Sequence, residues 1–228
     1  PITLKGAYLA PSIYQDISLR EFSDVDYLID SKDISKIEAI LHRQGYIQGY
    51  YDINSGSIVR YSRAETIKRR LTTHETTEFL KLTPHKALQT FVIDVNFDII
   101  WKGPGRTKTY SVNIGNVINS ATSVPLMGGE ANILSNEYQL IQLCTHLFSE
   151  AVYFCFEPSW PRDKTDLNLI KFCDINELMR RTTIKWDSFM SIVKENNISD
   201  PIFYSLSLTN ILFPSPILQK ITQQLGVN

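Results

Sequence analysis

The stretch Arg20-Glu21-Phe22-Ser23-Asp24-Val25-Asp26-Tyr27-Leu28-Ile29 decides how this chain is read. Alternate residues of a strand share a face, so Asp24 and Asp26 present two carboxylates to one side while Val25 and Leu28 help anchor the strand. Two carboxylates so placed can meet one divalent cation. The plainer reading is an exposed strand end with ordinary surface acids, and the rest of the chain decides between the two.

A second strand is written in Phe91-Val92-Ile93-Asp94-Val95-Asn96-Phe97-Asp98-Ile99. Its alternation puts Ile93, Val95, Phe97 and Ile99 on a buried face and Asp94, Asn96 and Asp98 on the other. Such a polar row is either solvated or part of a site. If this strand lies beside the first, Asp94 or Asp98 adds a third carboxylate.

The chain has 228 residues, 43% hydrophobic and 11% aromatic, which is ample for a packed core. With 23 basic against 24 acidic residues, the bulk charge demands neither a polyanion nor a membrane surface as partner. Three cysteines, Cys144, Cys155 and Cys173, have spacings that suit neither zinc nor a disulfide framework, so reduced thiols in a cytoplasmic protein are expected. No apolar run approaches the ~20 residues that span a bilayer. The start at Pro1 lacks a signal-peptide pattern and a methionine, which fits a trimmed or processed product.

The predicted fold class is α+β: an α/β domain with a mixed sheet over 1–125, then a helical domain over 126–228. A helix is predicted from Asp33 to Gln44, with Ile34, Ile37, Ile40 and Leu41 on one face and Gly45 after its end. Residues 46–75 read as a hairpin or mobile segment, and Phe79 to Thr83 and Phe91 to Ile100 as strands. The loop around Pro125, Gly128 and Gly129 marks the boundary, and helical character sets in from about Ser135. Helices follow from Asn136 to Phe156, stopped by Pro158 and Pro161, then from Lys164 to Arg181, Trp186 to Glu195, Pro201 to Phe213 and Pro216 to Leu225.

Taken together, Leu4-Lys5-Gly6-Ala7, Arg20 to Asp26 and Asp94 resemble the nucleotidyltransferases of the DNA polymerase β-like superfamily, and more narrowly a bacterial family of uncharacterised nucleotidyltransferases. The likeness extends to Leu140 to Leu147, Leu169 to Leu178 and Trp186-Asp187. Two residues depart from the pattern: Asn96 stands where the family tends to have His, and Ala7 where the superfamily usually has Ser.

The resemblance implies a polymerase β-like α/β domain followed by a helical bundle. It implies transfer of a nucleoside monophosphate from a nucleoside triphosphate to an acceptor, with release of pyrophosphate. Magnesium or manganese would be held by Asp24, Asp26 and Asp94, with Asp98 as the other candidate for the third acid. Lys5, Gly6, Arg20 and Lys171 would meet the nucleotide: Gly6 by letting backbone approach phosphate, Lys5 as a point charge. The acceptor is open between a small molecule, a peptide, a protein and RNA.

Each supporting residue also has a structural reading. Arg20 either pairs with a phosphate or braces the acids, and Lys171 with Asp174 is also a plain intrahelical pair. His146 suits a core position, His85 the surroundings of the site, and His42 and His74 the surface. Arg60, Arg63, Lys68, Arg69 and Arg70, interleaved with Tyr50, Tyr51 and Tyr61, form the one basic and aromatic tract, an RNA path or a solvated flap over the site. Ala7 and Asn96 motivate the alternative of a nucleotide- or partner-binding module without turnover.

Overall fold

The structure, a computed structural model, describes residues 1–85, 87–101, 110–153 and 168–226. The described residues divide into two compact units, one of Pro1–Thr109 with Ile114–Leu134, the other of Tyr110–Asn113 with Ser135–Asn228. Among them, no helix is long and apolar enough to cross a membrane.

The first unit is built on one mixed sheet of eight strands among the described residues: β1 (Ile2–Thr3), β2 (Val25–Leu28), β3 (Ile47–Asp52), β4 (Ser57–Arg60), β5 (Phe79–Leu82), β6 (Thr90–Asn96), β7 (Thr122–Leu126) and β8 (Gly129–Ile133). Their order is β4-β3-β5-β6-β2-β1-β8-β7. The same unit holds α1 (Lys5–Tyr8), which runs on into a wider helical turn over Leu9–Tyr14, α2 (Ile34–Arg43), α3 (Arg63–Thr72) and α4 (Ile114–Asn119).

At the centre of the sheet, β2 and β6 run parallel in the register Val25↔Ile93, Asp26↔Asp94, Tyr27↔Val95 and Leu28↔Asn96. The alternation read from the sequence therefore puts apolar residues of both strands on one face. There Ile29, Phe79 and Val95 form a cluster closed by Ile34, Ile37 and Leu41 of α2. Phe79 is fully buried in it, a burial worth about 1.5–3 kcal/mol. The α2 stripe matches the predicted Asp33 to Gln44 helix, and Gly45 follows it with a positive φ of 85°.

Other elements differ from the sequence reading. The second acid strand ends at Asn96, short of the expected Ile100. Beyond it the amide of Phe97 donates to the His74 carbonyl, and Asp98 Oδ1 accepts from the Ile100 amide at 3.0 Å, so the chain bends away. Residues 46–75 hold the β3–β4 hairpin and also α3, a helix the sequence reading passed over. The Pro125 to Gly129 loop proves to be the tight turn of a hairpin, β7 pairing with β8 as Met127 and Gly128 take φ values of 49° and 83°.

The second unit is helical, with α5 (Asn136–Tyr153), α6 (Leu169–Arg181), α7 (Trp186–Glu195), α8 (Ser199–Leu212) and α9 (Pro216–Leu225). Apolar faces built from Leu140, Leu147, Ile175, Phe189 and Leu206 are fully buried. Polar clips fix the joints: Glu137 Oε1 accepts the Lys185 amide at 2.8 Å before α7, and Ser205 Oγ donates to the Cys144 carbonyl at 2.6 Å. The expected end of α5 near Phe156, its stops at Pro158 and Pro161, Cys155, and the expected start of α6 at Lys164 lie outside the described residues.

Candidate active site

The face of the sheet opposite α2 carries the acids. Asp24 precedes β2 by one residue, Asp26 lies within it, and the parallel register sets Asp94 directly beside Asp26, one strand spacing of ~4.8 Å away. Asp26 is buried, while Asp24 and Asp94 are half-buried. Asp98 does not extend this row, since it stands past the end of β6 with a carboxylate oxygen on the Ile100 amide.

Two acids that the sequence reading missed join them. β5 pairs with β6 in the register Phe79↔Ile93, but Glu75 bridges Asn96. Four steps back along one strand thus face three steps forward along the other, which is a β-bulge between Thr76 and Glu78. Without it Glu75 and Glu78, three residues apart, would point to opposite faces; with it both reach the face of Asp94 and Asn96. Nothing in the local sequence announces a bulge.

The charges are unbalanced. Burial, then the charges of Asp26, Glu75, Asp24 and Glu78, push Asp94 up to about 8. Burial and the neighbouring Asp26 raise Asp24 against the pull of Lys5 and Arg20. Burial also raises Glu75, although Arg69 pairs with it and pulls the other way. Lys5 is the cation set among the acids: its Nζ donates to Asp26 Oδ1 at 2.9 Å, and the Asn96 amide donates to the same oxygen at 3.4 Å. Burial alone would lower the Lys5 ammonium, but Asp26, Asp24 and Glu75 hold it above the ordinary lysine value.

Lys5 reaches this position from a left-handed backbone (φ 45°) at the start of α1. Gly6 beside it is buried, and a Cβ there would lie 2.5 Å from the Phe22 Cβ. The close approach that the structure shows at Gly6 is therefore to Phe22, whose chain leads straight into the Asp24 strand. Arg20 donates to the Glu21 carbonyl and lowers the Asp24 carboxyl.

A pocket of about 260 Å³ opens over this face, lined by Ser23, Asp24, Tyr50, Tyr51, Glu78, Leu80, Val92 and Asp94. The oxygen-only donor set suits a hard divalent cation, and a surplus of buried and half-buried carboxylates is the deficit such an ion relieves. In the present side-chain arrangement, no group of three or more His, Cys, Asp or Glu among the described residues converges closely enough to hold a metal.

The other sequence candidates are placed as follows. In the helical unit Lys171 pairs with Glu150, whose other oxygen lies 3.2 Å from His146 Nε2. Asp174 is buried in the same unit. His85 sits exposed in the turn after β5, its Nδ1 accepting the Ala87 amide at 3.3 Å. His42 is exposed, as expected, but His74 is not a surface residue. It is buried against Trp101 with Nε2 3.8 Å from Glu75, because its carbonyl is tied to the end of β6. In the basic tract Arg69 is paired with Glu75 and Arg70 with Glu38, so two of its cations hold the fold together.

A sheet that carries paired acids at its centre, in a chain that also holds a separate helical unit, is the setting in which the comparison with known proteins falls. A family model described as uncharacterised nucleotidyltransferase matches residues 1–214, and the chain belongs to that family. It is accordingly a transferase by class, with a nucleotide as substrate. No curated protein and no solved structure matches the chain.

Proposed function

We propose that this protein transfers a nucleoside monophosphate from a nucleoside triphosphate to an acceptor hydroxyl, with Asp24, Asp26 and Asp94 holding magnesium or manganese against the triphosphate. The observation that carries the reading is the β2–β6 register, which sets Asp26 and Asp94 side by side on the face that also bears Asp24. A bound divalent ion supplies neutralisation of phosphate charge and polarisation of the reacting oxygens. Of the two candidates for the third acid, Asp94 is favoured, because it neighbours Asp26 and lines the pocket while Asp98 does neither.

The chain's own residues have distinct tasks in this reading. Asp24 and Asp26 orient the triphosphate end. Asp94, ionised when the divalent ion is held, stands beside Asp26 and receives the acceptor's proton as its oxygen attacks the α-phosphorus and the bond to pyrophosphate breaks. Lys5 holds Asp26 in place and presents a positive charge beside the phosphates. Gly6 and Phe22 fix the loop that brings Asp24 to the strand. Arg20 acts by bracing Asp24.

The test is transfer of label from α-³²P nucleoside triphosphate to acceptor in the presence of magnesium. Asp24→Asn is expected to abolish it while leaving the circular dichroism spectrum unchanged, and full activity in that variant would overturn the assignment. A second reading, a nucleotide-binding module without turnover, is favoured by one observation: Lys5 and Asn96 already satisfy one oxygen of Asp26. Calorimetry separates the two, since the module binds triphosphate without dependence on the divalent ion.

A further inference from the structure

On the side of Asp94 away from β2, the sheet continues into β5, β3 and β4, and α3 is tied to the same unit by Arg69 on Glu75 and Arg70 on Glu38. There a second cavity of about 320 Å³ is lined by Tyr61, Lys68, Arg69, Thr72, Thr77 and Glu78, among others. Glu78 lines both this cavity and the pocket over Asp24 and Asp94, so one residue is common to the two linings. The aromatic walls also meet, the Tyr61 ring lying 5.8 Å from that of Tyr50 in the smaller pocket.

The charges of the cavity are sorted by what they are already doing. Arg69 is paired with Glu75. Glu65, also in the lining, is spent on the start of α3, accepting the Ser62 amide at 2.7 Å in a capping box. Lys68 is exposed and has no ion-pair partner among the described residues. The lining thus offers one uncommitted ammonium, Lys68, and a partly exposed guanidinium, Arg69, against the carboxylates Glu65 and Glu78. An anion is drawn to Lys68 and repelled from Glu78, which orients anything that carries both an anion and a hydroxyl.

Size narrows the occupant. A volume of about 320 Å³ is at the small end of ligand cavities and accommodates a molecule the size of a phosphorylated monosaccharide. A nucleic-acid strand would instead lie along the outside of the basic tract, where Arg69 and Arg70 are committed to Glu75 and Glu38.

We propose that this cavity is the acceptor subsite and that the acceptor is a small hydroxylated molecule bearing an anionic group, of the sugar-phosphate class. Its anion sits at Lys68 and its reacting hydroxyl points past Glu78 toward Asp94. The inference rests on the transferase reading above and names the acceptor class for that site. In the reaction the hydroxyl oxygen forms a bond to the α-phosphorus, the bond from that phosphorus to the bridging oxygen of pyrophosphate breaks, and the hydroxyl proton passes to Asp94.

The experiment is a titration of the ¹⁵N-labelled full chain, without nucleotide, using ribose 5-phosphate, ribose and a short single-stranded RNA as separate probes. Ribose 5-phosphate at millimolar concentration is expected to shift the amides of Lys68, Thr72 and Glu78, with ribose weaker by about tenfold or more. Lys68→Glu should weaken ribose 5-phosphate by a similar factor, and Lys68→Arg should retain it. Absence of these shifts, indifference to Lys68→Glu, or binding of the RNA alone would each overturn the proposal. Because nucleotide is left out, a failed titration removes the subsite while the acid cluster still stands or falls by label transfer. A positive titration with no label transfer removes the reading beneath it.

Discussion

Asp94 bears the heaviest electrostatic load on the acid face, and its consequences can be measured without knowing the acceptor. In the unfolded chain its carboxyl titrates near pH 4, as an ordinary aspartate does. In the folded protein burial and four neighbouring carboxylates carry it up to about 8. Between those values the folded state holds a proton that the unfolded state has released, so metal-free stability falls as pH rises through that window and levels off above it. Asp94→Asn removes this penalty. The variant is expected to melt higher than the parent at pH 8, by about 2–4 °C for each kcal/mol relieved, to show little gain near pH 4, and to lose label transfer. Lys5 is the opposite case, a cation whose loss leaves the buried Asp26 carboxylate short of a partner. Lys5→Ala should cost about 1–3 kcal/mol, read as a lower urea midpoint at unchanged slope. A lysine that met only phosphate would leave that midpoint where it was.

At the scale of elements, the loop from α1 to β2 depends on the packing of Gly6 against Phe22. Gly6→Ala places a methyl 2.5 Å from the Phe22 Cβ and should destabilise by roughly 1–3 kcal/mol. Combining it with Phe22→Gly, which removes the Cβ that alanine would keep, should cost clearly less than the sum of the two single changes, a coupling that chemical denaturation measures directly. The elements also show what the sequence made legible. The two acid strands and α2 could be read because their apolar residues repeat at the strand and helix periods, and partners on the sheet face honour that pattern. By contrast α3 could not, because Ile67 and Leu71, its only large apolar residues, are 44% and 80% exposed and mark no buried stripe. Its one local signal was the box of Ser62 and Glu65. Glu75 and Glu78 were hidden for a different reason, since a bulge is a property of two paired strands and leaves no period in either. Asp98 lies past the end of β6 because Phe97 and Ile100 find other partners there, which the alternation of the sequence does not show.

At the scale of the whole molecule, the family match spans 1–214, so it takes in the acid-bearing sheet and most of the helical unit. The helices could be read from sequence because their apolar positions recur at helical spacing, as in Leu140, Leu143 and Leu147 of α5. The surplus of acids makes one global prediction. A divalent ion needs the carboxylates ionised, so below about 8 it must displace the Asp94 proton, and its binding strengthens as pH rises through that value. Magnesium with a non-hydrolysable triphosphate should therefore raise the melting temperature more at alkaline than at mildly acidic pH. An equal gain at both would show that the ion is held elsewhere.

The most direct test of the central claim is anomalous diffraction from crystals grown with manganese and a non-hydrolysable nucleoside triphosphate. The account predicts a manganese peak bound by the carboxylates of Asp24, Asp26 and Asp94 and touching the triphosphate. A triphosphate bound with no manganese at those three side chains would contradict it.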